Sequence, residues 1–227
     1  MWTPYTVRFD FVSEICGGVP ADPKLVDDWV RSRMPKTRPP QSMGIDQIAE
    51  EVLSTVPEDV EPSLHIFQRH PKTRELVVEA RTIRGHVKDC ASILSSLYVG
   101  KPEKEKSFAV KCKNSIYYPP ALKWIPIHRE DGSLIYEADG TRDKPLHVMT
   151  PQGPRSALKT LEFLVEGCYI EFPLLILTNT QNRLVVSEKD LGSLFLYGGT
   201  HGYGPERSDG QGRYIATVTP GEPATGA

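Results

Sequence analysis

Residues 158–177, L-K-T-L-E-F-L-V-E-G-C-Y-I-E-F-P-L-L-I-L, predict two β-strands joined by a turn at Glu166 and Gly167. The first strand is predicted over residues 158–165, where apolar and polar side chains are mixed. The second, over residues 168–177, is apolar enough to lie at the centre of a sheet. Pro173 has no backbone N–H, so it requires a bulge or an unpaired position in that strand.

A helix and a final strand follow this pair. Ser187 is a predicted N-cap before a helix over residues 187–197, which has acidic residues in its first turn. Residues 213–219 alternate as a strand does. The order strand, strand, helix, strand fits the last part of a ferredoxin-like β-α-β-β-α-β unit. We therefore predict an α+β fold with a ferredoxin-like antiparallel sheet and helices on one face, built as one elaborated or two fused units.

The rest of the chain supplies further elements of the same class. Alternation predicts additional strands, apolar spacing predicts additional helices, and turn residues predict loops. The predicted strands cover residues 5–13, 63–68, 75–80, 107–118, 124–128, 134–136 and 147–149. Two predicted helices cover residues 24–34 and 44–56, and residues 81–91 are predicted to lead from a strand into a third helix that ends near residues 98–100. The predicted connections cover residues 35–40, 57–62, 101–106, 141–144 and 152–155.

Composition places the chain among globular proteins. Hydrophobic residues make up 39% and charged residues 25%, so we expect a single elaborated domain over residues 1–219, with possible halves 1–100 and 101–219. Residues 220–227 are expected to form a disordered tail. No apolar run reaches membrane-spanning length, and the four scattered cysteines are typical of reduced thiols in a cytoplasmic protein.

Six glycines fall within residues 198–212, in the stretch L-Y-G-G-T-H-G-Y-G-P-E-R-S-D-G-Q-G-R-Y that covers residues 196–214. Such density is expected where a backbone takes positive φ or lies against another molecule. Arg207 among these glycines indicates phosphate as that molecule, because a guanidinium and open N–H groups suit phosphate oxygens. The stretch lacks the Gly-Lys pair of a P-loop, and a strand rather than a helix follows it. The alternative is a long connection that needs several left-handed residues.

A second basic stretch lies at the start of a predicted helix. Arg81, Arg84, His86 and Lys88 occur together there, although a helix N-terminus favours anions over cations. An external anion docking beside the exposed N–H groups would explain them, and a solvated basic turn is the alternative. The net charge of −2 excludes binding of nucleic acid through overall charge, so any basic face must be local.

The glycine-rich loop, residues 202–213, resembles the signature loop of the RAMP superfamily, the RNA-binding proteins of CRISPR–Cas systems. The pattern G-x-G-x-x-R-S-x-G-x-G-R carries the resemblance, and residues 82–88, T-I-R-G-H-V-K, resemble the strand-to-helix motif of the same family. Membership implies an RRM-like fold that holds RNA against a sheet face and this loop. The RNA-binding residues it implies are Arg81, Arg84, Lys88, Gly202, Tyr203, Gly204, Arg207, Ser208, Gly210, Gly212 and Arg213.

The resemblance implies an RNA-binding subunit of a CRISPR-type ribonucleoprotein in antiviral defence. Single-stranded guide RNA and other protein subunits would be its partners, with phosphates on the basic residues and bases stacked on Tyr203 or Tyr214. No cofactor or metal is expected, since no metal-ligand motif occurs.

Two other functions fit the residues. A metal-independent repeat-processing endoribonuclease of the same fold would use His86 or His201 as general base, assisted by Lys88 or Tyr203. A phage-type structural or assembly protein would use its loops for protein contacts and would have no role with RNA. In that last case we expect Arg207 to be paired with an acidic side chain.

Overall fold

A computed structural model of the protein describes residues 1–22, 26, 50, 54, 64–97, 108–150, 153–181 and 183–221. Twelve strands and three α-helices occur within these ranges. The strands are β1 (Trp2–Phe11), β2 (Ile15–Cys16), β3 (Val19–Pro20), β4 (Leu64–Ile66), β5 (Gln68–Arg69), β6 (Leu76–Glu79), β7 (Ile116–Tyr117), β8 (Trp124–Arg129), β9 (Gly140–Thr150), β10 (Gly153–Leu164), β11 (Cys168–Leu177) and β12 (Tyr214–Pro220). The helices are α1 (Ala80–Leu97), α2 (Phe108–Ser115) and α3 (Glu188–His201).

The predictions for residues 24–34, 35–40, 44–56, 57–62 and 101–106 lie outside the described residues, apart from three isolated positions. The same holds for residues 222–227 of the predicted tail, whereas Pro220 belongs to β12.

The described strands form two sheets. One has the order β12-β1-β11-β8-β6-β5, with β7 also paired to β11, and each of its pairs is antiparallel. The other has the order β2-β10-β4-β3, with β9 paired to β10, and here β10 and β4 run parallel. The first sheet and two of the helices contain the ferredoxin-like order β-α-β-β-α-β. Its members are β1, α1, β8, β11, α3 and β12. The predicted α+β class with antiparallel sheets is confirmed.

The core lies between the first sheet and its helices. Alternate residues of β1 are buried, as period-two alternation predicts. Phe9, which is fully buried, contacts Phe172 of β11 and Phe195 of α3 edge-to-face at centroid distances of 5.2 and 5.5 Å. On the opposite face Arg8 pairs with Asp10 at 2.7 Å. Both helices α1 and α3 contribute to the same apolar cluster.

The strand predicted over residues 107–118 is wrong in most of its length. Residues 108–115 form α2, and only Ile116 and Tyr117 are a strand. Cys112 and Ser115 are buried and Phe108 is half-buried. Phe108 and Cys112 are four residues apart and Cys112 and Ser115 are three apart, which is the spacing of residues on one face of a helix. The loop predicted over residues 141–144 is also wrong, because β9 runs through it and through residues 147–149.

The two strands of the opening stretch exist, but they do not pair with each other. β10 belongs to the second sheet and β11 to the first, so the turn at Glu166 and Gly167 carries the chain from one sheet to the other. β10 pairs with β9 over its whole length, and residues 153–155, predicted as a turn, are part of β10. Pro173 lies between the segments of β11 that pair with β8 and with β7, so it has no partner on that side of the strand. On the other side it lies opposite Thr6 of β1.

Candidate nucleic-acid interface

The first two turns of α1 carry exposed cations. No acidic residue occurs in its first turn, and the side chains of Arg84 and Lys88 are exposed. Arg81 is partly neutralised, since its Nε lies 2.6 Å from Glu79. Cations at a helix N-terminus oppose the helix dipole, so this arrangement does not stabilise α1.

The glycine-rich loop is fixed by contacts that only glycine permits. Gly212 has φ +70°, and a Cβ there would lie 1.9 Å from the carbonyl oxygen of Tyr203. Gly202, with φ +89°, ends α3, and a Cβ there would lie 2.4 Å from the carbonyl oxygen of Gln211. The loop closes on itself where the Tyr203 amide donates to the Gly212 carbonyl at 2.7 Å. The remaining glycines of the predicted site, Gly204 and Gly210, also have positive φ.

This closed loop presents a short 3-10 turn to solvent. The turn spans Arg207–Asp209, and the side chains of Arg207 and Ser208 are exposed. Arg213 is exposed at the exit of the loop, and its amide donates to the Ser13 hydroxyl at 2.8 Å. An exposed arginine and an exposed hydroxyl on a constrained backbone suit an anionic ligand.

The fold brings the two basic stretches together. Arg207 Nη2 lies 3.0 Å from Asp89 Oδ2 on α1, in an ion pair whose side chains are about two-fifths exposed. About two turns closer to the start of α1, the hydroxyls of Thr82 and Tyr203 form a hydrogen bond between residues 121 positions apart. The loop therefore lies directly against the basic turns of α1.

A buried aromatic cluster supports the loop from below. The Tyr214 ring stacks on Phe9 at 3.9 Å, and its hydroxyl lies 2.8 Å from His86 Nε2. Tyr203 is 8% and Tyr214 4% exposed, so neither ring face is open to a base. Both rings belong to the core in this structure, and the stacking of bases on them stays a prediction from the sequence.

His86 is enclosed by the same cluster. Burial, together with the nearby Arg207 and His201, lowers the pKa of His86 from 6.5 to about 4, so the ring is neutral at pH 7. Its Nε2 is occupied by Tyr214, and the ring packs edge-on against Tyr203 at 5.5 Å. The His86 side chain is therefore buried and not exposed at the protein surface. His201, by contrast, is half-buried at the end of α3 and stacks on Tyr197.

Two lysines from the β9–β10 hairpin hold the loop from the other side. Lys144 and Lys159 face each other in the hairpin register, and both bind the Glu206 carboxylate. Lys144 also contacts Asp209. These cations lower the pKa of Glu206 despite its partial burial, and the cluster neutralises acidic charge close to Arg207.

The sequence did not predict the roles of these lysines or of Asp89 as a partner of Arg207. The lysines are neighbours only once β9 and β10 pair, and residues 141–144 carry no clear alternation of their own. The described residues contain no group of three or more His, Cys, Asp or Glu side chains placed to hold a metal ion.

Comparison with known proteins gives little at the level of sequence. No protein-family model matches the chain, and no curated protein matches it either. Among solved structures, the chain is similar to one in the cryo-EM structure of the type III-B Cmr-beta complex bound to cognate target RNA. The two chains are 10% identical, with a TM-score of 0.44. The alignment covers 96% of the present chain and 61% of the other, so this protein spans about three-fifths of its neighbour's length.

None of the helices within the described residues is long and apolar enough to cross a bilayer.

Proposed function

We propose that this protein is an RNA-binding subunit of a CRISPR-type ribonucleoprotein, which holds single-stranded guide RNA by phosphate contacts from the glycine-rich loop. The observation that carries the proposal is the contact between that loop and the basic turns of α1. Two stretches that resemble RAMP motifs, far apart in sequence, form one surface. The single domain expected over residues 1–219 and the cytoplasmic location are parts of the same proposal.

The phosphate contacts would come from the exposed cations of this surface. Neither Lys88 nor Arg213 pairs with any described acid, so both are open to an anion. Arg84 is exposed, and its guanidinium lies 5.2 Å from the centre of the Tyr118 ring, which holds it in place. Ser208 and the glycine amides would supply neutral donors. Arginine forms paired, charge-assisted hydrogen bonds with phosphate, and such bonds favour a strand over a neutral ligand.

Arg207 would exchange a carboxylate for a phosphate. Its ion pair with Asp89 is exposed, and pairs of this kind contribute about 0–1 kcal/mol. A phosphate bound by Arg207 would replace Asp89 at little cost. In the free protein the pair would keep Arg207 oriented toward α1.

A second candidate function is an assembly protein without a role in RNA binding. The Arg207–Asp89 ion pair is the contact that this alternative predicts, and it is present. The endoribonuclease alternative is less favoured at His86, because that ring is buried and occupied. His201 remains the residue to which a cleavage role would be assigned.

Filter binding of single-stranded RNA at two salt concentrations tests the proposal. We expect an affinity that falls with salt, because bound phosphates release counterions. The double variant Arg207→Ala, Arg213→Ala should lower the affinity at least roughly tenfold and reduce the salt slope by about two. The matched control is Lys72→Ala, Arg183→Ala, which removes two exposed cations elsewhere.

The assembly-protein alternative is favoured if the protein does not bind RNA, or if the two double variants have the same RNA affinity. Gel analysis of the same samples reports any cleavage, and a His201→Ala variant that binds RNA but does not cut it would support the endoribonuclease.

A further inference from the structure

A groove lies on the flank of α1 that faces away from the glycine-rich loop. Positions 82, 86 and 89 of α1 contact the loop and the cluster beneath it, whereas positions 84, 87 and 88 lie on the other side of the helix. The groove lies between this side, α2 and β7, and its volume is about 260 Å³. Its lining consists of Arg84, Val87, Lys88, Cys112, Lys113, Ile116, Tyr117 and Tyr118.

The lining combines an apolar interior with a basic rim. Val87, Cys112 and Ile116 are buried and supply aliphatic and thiol surface. Lys88 and Lys113 are exposed cations, as is Arg84 above the Tyr118 ring. No carboxylate occurs among the described residues that line the groove. Its charge therefore complements an anion, and its interior suits a flat apolar group.

One wall of the groove is an exposed aromatic side chain. Tyr117 is 42% exposed, and its ring is braced by Trp2 at a centroid distance of 5.6 Å. An exposed, braced ring is the stacking partner that the buried Tyr203 and Tyr214 do not provide. Bases of single-stranded RNA commonly stack on such rings and on arginine planes.

The size restricts the occupant further. Pockets for drug-sized ligands have volumes of about 300–1,000 Å³, and this groove is slightly smaller. A single base with its phosphate at the basic rim matches both the size and the chemistry.

We propose that the groove between α1 and α2 binds one nucleotide of the RNA strand, with its base against Tyr117 and its phosphate at Lys113 and Lys88. This assignment rests on the proposed function, since it takes the strand to continue across α1 from the glycine-rich loop. It adds a base-binding site to a surface otherwise limited to phosphate contacts.

Crosslinking of RNA that contains 4-thiouridine at successive positions, followed by trypsin digestion and mass spectrometry, tests the assignment. We expect one position of the strand to crosslink to the peptide ending at Lys123, which carries Tyr117 and Tyr118. Tyr117→Ala should abolish this crosslink and lower RNA affinity at least roughly fivefold, whereas Tyr117→Phe should retain both, because stacking does not need the hydroxyl.

Control variants at exposed residues elsewhere distinguish an effect of the groove from an effect of losing any exposed tyrosine or lysine. Tyr136→Ala removes a tyrosine that is 49% exposed elsewhere and should leave RNA affinity unchanged. Lys113→Gln should weaken binding roughly threefold or more, and Lys72→Gln should not.

Each outcome has a definite meaning. If RNA binds through Arg207 and Arg213 but the Tyr117 and Tyr136 variants behave alike, and the peptide is not crosslinked, the groove assignment is wrong and the RNA-binding function stands. If RNA does not bind at all, both proposals fall. If free uridine monophosphate binds the groove more tightly than the strand does, the occupant is a small nucleotide and the strand assignment is overturned.

Discussion

His86 shows how one side chain can resemble a catalytic residue in sequence and be a structural one in the fold. It stands within a basic stretch at the start of α1, where a general base would be useful. In the structure it is 6% exposed, bonded to Tyr214 and next to Cys90, whose pKa burial raises to about 12. The ring connects α1 to β12 beneath the glycine-rich loop.

We expect this burial to make stability depend on pH. The His86 pKa is about 4 in the folded protein and 6.5 in the unfolded chain, so between these values the unfolded chain binds more protons. The free energy of unfolding should therefore fall by up to about 3 kcal/mol as the pH drops from 6.5 to 4. His86→Gln should flatten this slope in urea titrations, and His201→Gln should retain it. Equal slopes for wild type and His86→Gln would contradict the assignment.

Tyr118 carries a buried hydroxyl without a hydrogen-bond partner among the described residues. Burial raises the pKa of this phenol far above its usual range. An unpaired buried polar group costs about 1–3 kcal/mol, so Tyr118→Phe should raise the free energy of unfolding by about 1 kcal/mol. Thermal and urea denaturation would measure this change. A destabilised Tyr118→Phe variant would show that the hydroxyl has a partner in solution.

At the scale of elements, α3 lies unusually close to β12 because two of its residues lack a side chain. A Cβ on Gly199 would lie 2.2 Å from the Tyr214 carbonyl oxygen, and one on Gly198 would lie 2.3 Å from the Tyr214 hydroxyl. The same helix has Gly192 on its exposed face, with nothing within 4 Å of the position of a Cβ.

These glycines give a matched pair of variants. Gly199→Ala forces α3 away from β12 and should lower the free energy of unfolding by about 2 kcal/mol or more. Gly192→Ala replaces glycine by a better helix former in open space and should raise it by up to about 1 kcal/mol. Urea denaturation of both variants checks the signs, and a Gly199→Ala protein as stable as wild type would mean that the close approach is not required.

The sequence correctly predicted the elements whose pattern of apolar and polar residues matches the burial of those residues in the fold. β1 and β12 alternate because one face of each is buried, and the Ser187 capping box marks the start of α3. The helix over residues 108–115 was predicted as a strand because its basic residues and the aromatic residues around it were interpreted as a strand pattern. Phe108 and Cys112 nevertheless have the spacing of a helix face.

Pairing between strands was less predictable than the strands themselves. β10 and β11 are consecutive, and adjacency in sequence favours a hairpin. Nothing local indicates that β10 binds β9 and β4, whereas β11 binds β1. The same holds for the candidate site. The motifs that contain Arg84 and Arg207 could be identified from the sequence. The burial of His86 and Tyr203 could not, because it depends on contacts with elements far away in the chain.

At the scale of the whole molecule, one buried ion pair connects the two sheets. Arg69 Nη2 of β5 lies 2.8 Å from Glu162 Oε1 of β10, and both side chains are 9% exposed. The other carboxylate oxygen accepts the Phe67 amide at 2.8 Å. A carboxylate that is fully bonded in this way fixes the position of one sheet on the other.

Glu162→Gln should therefore be severely destabilising. It leaves the buried Arg69 charge with only the exposed Glu137, at 4.0 Å, as an acidic neighbour. Breaking a buried pair costs about 3–5 kcal/mol. The control is Asp10→Asn, which breaks the Arg8–Asp10 pair at the surface and should cost less than about 1 kcal/mol. Comparable losses in the two variants, measured by urea denaturation, would refute a structural role for the buried pair.

The central position of β1 has a consequence for the time course of folding. Phe9 pairs with Ile170 on one side and with Ala216 on the other, so both neighbours of the first strand are synthesised long after it. At about 5–20 residues per second, a ribosome needs roughly 8–30 s after completing β1 to reach β11, the first of these two partners to be synthesised. During that interval the apolar face of β1 has no native partner strand, and the large sequence separation slows its capture. We expect the nascent chain to depend on chaperones during synthesis far more than the finished protein does.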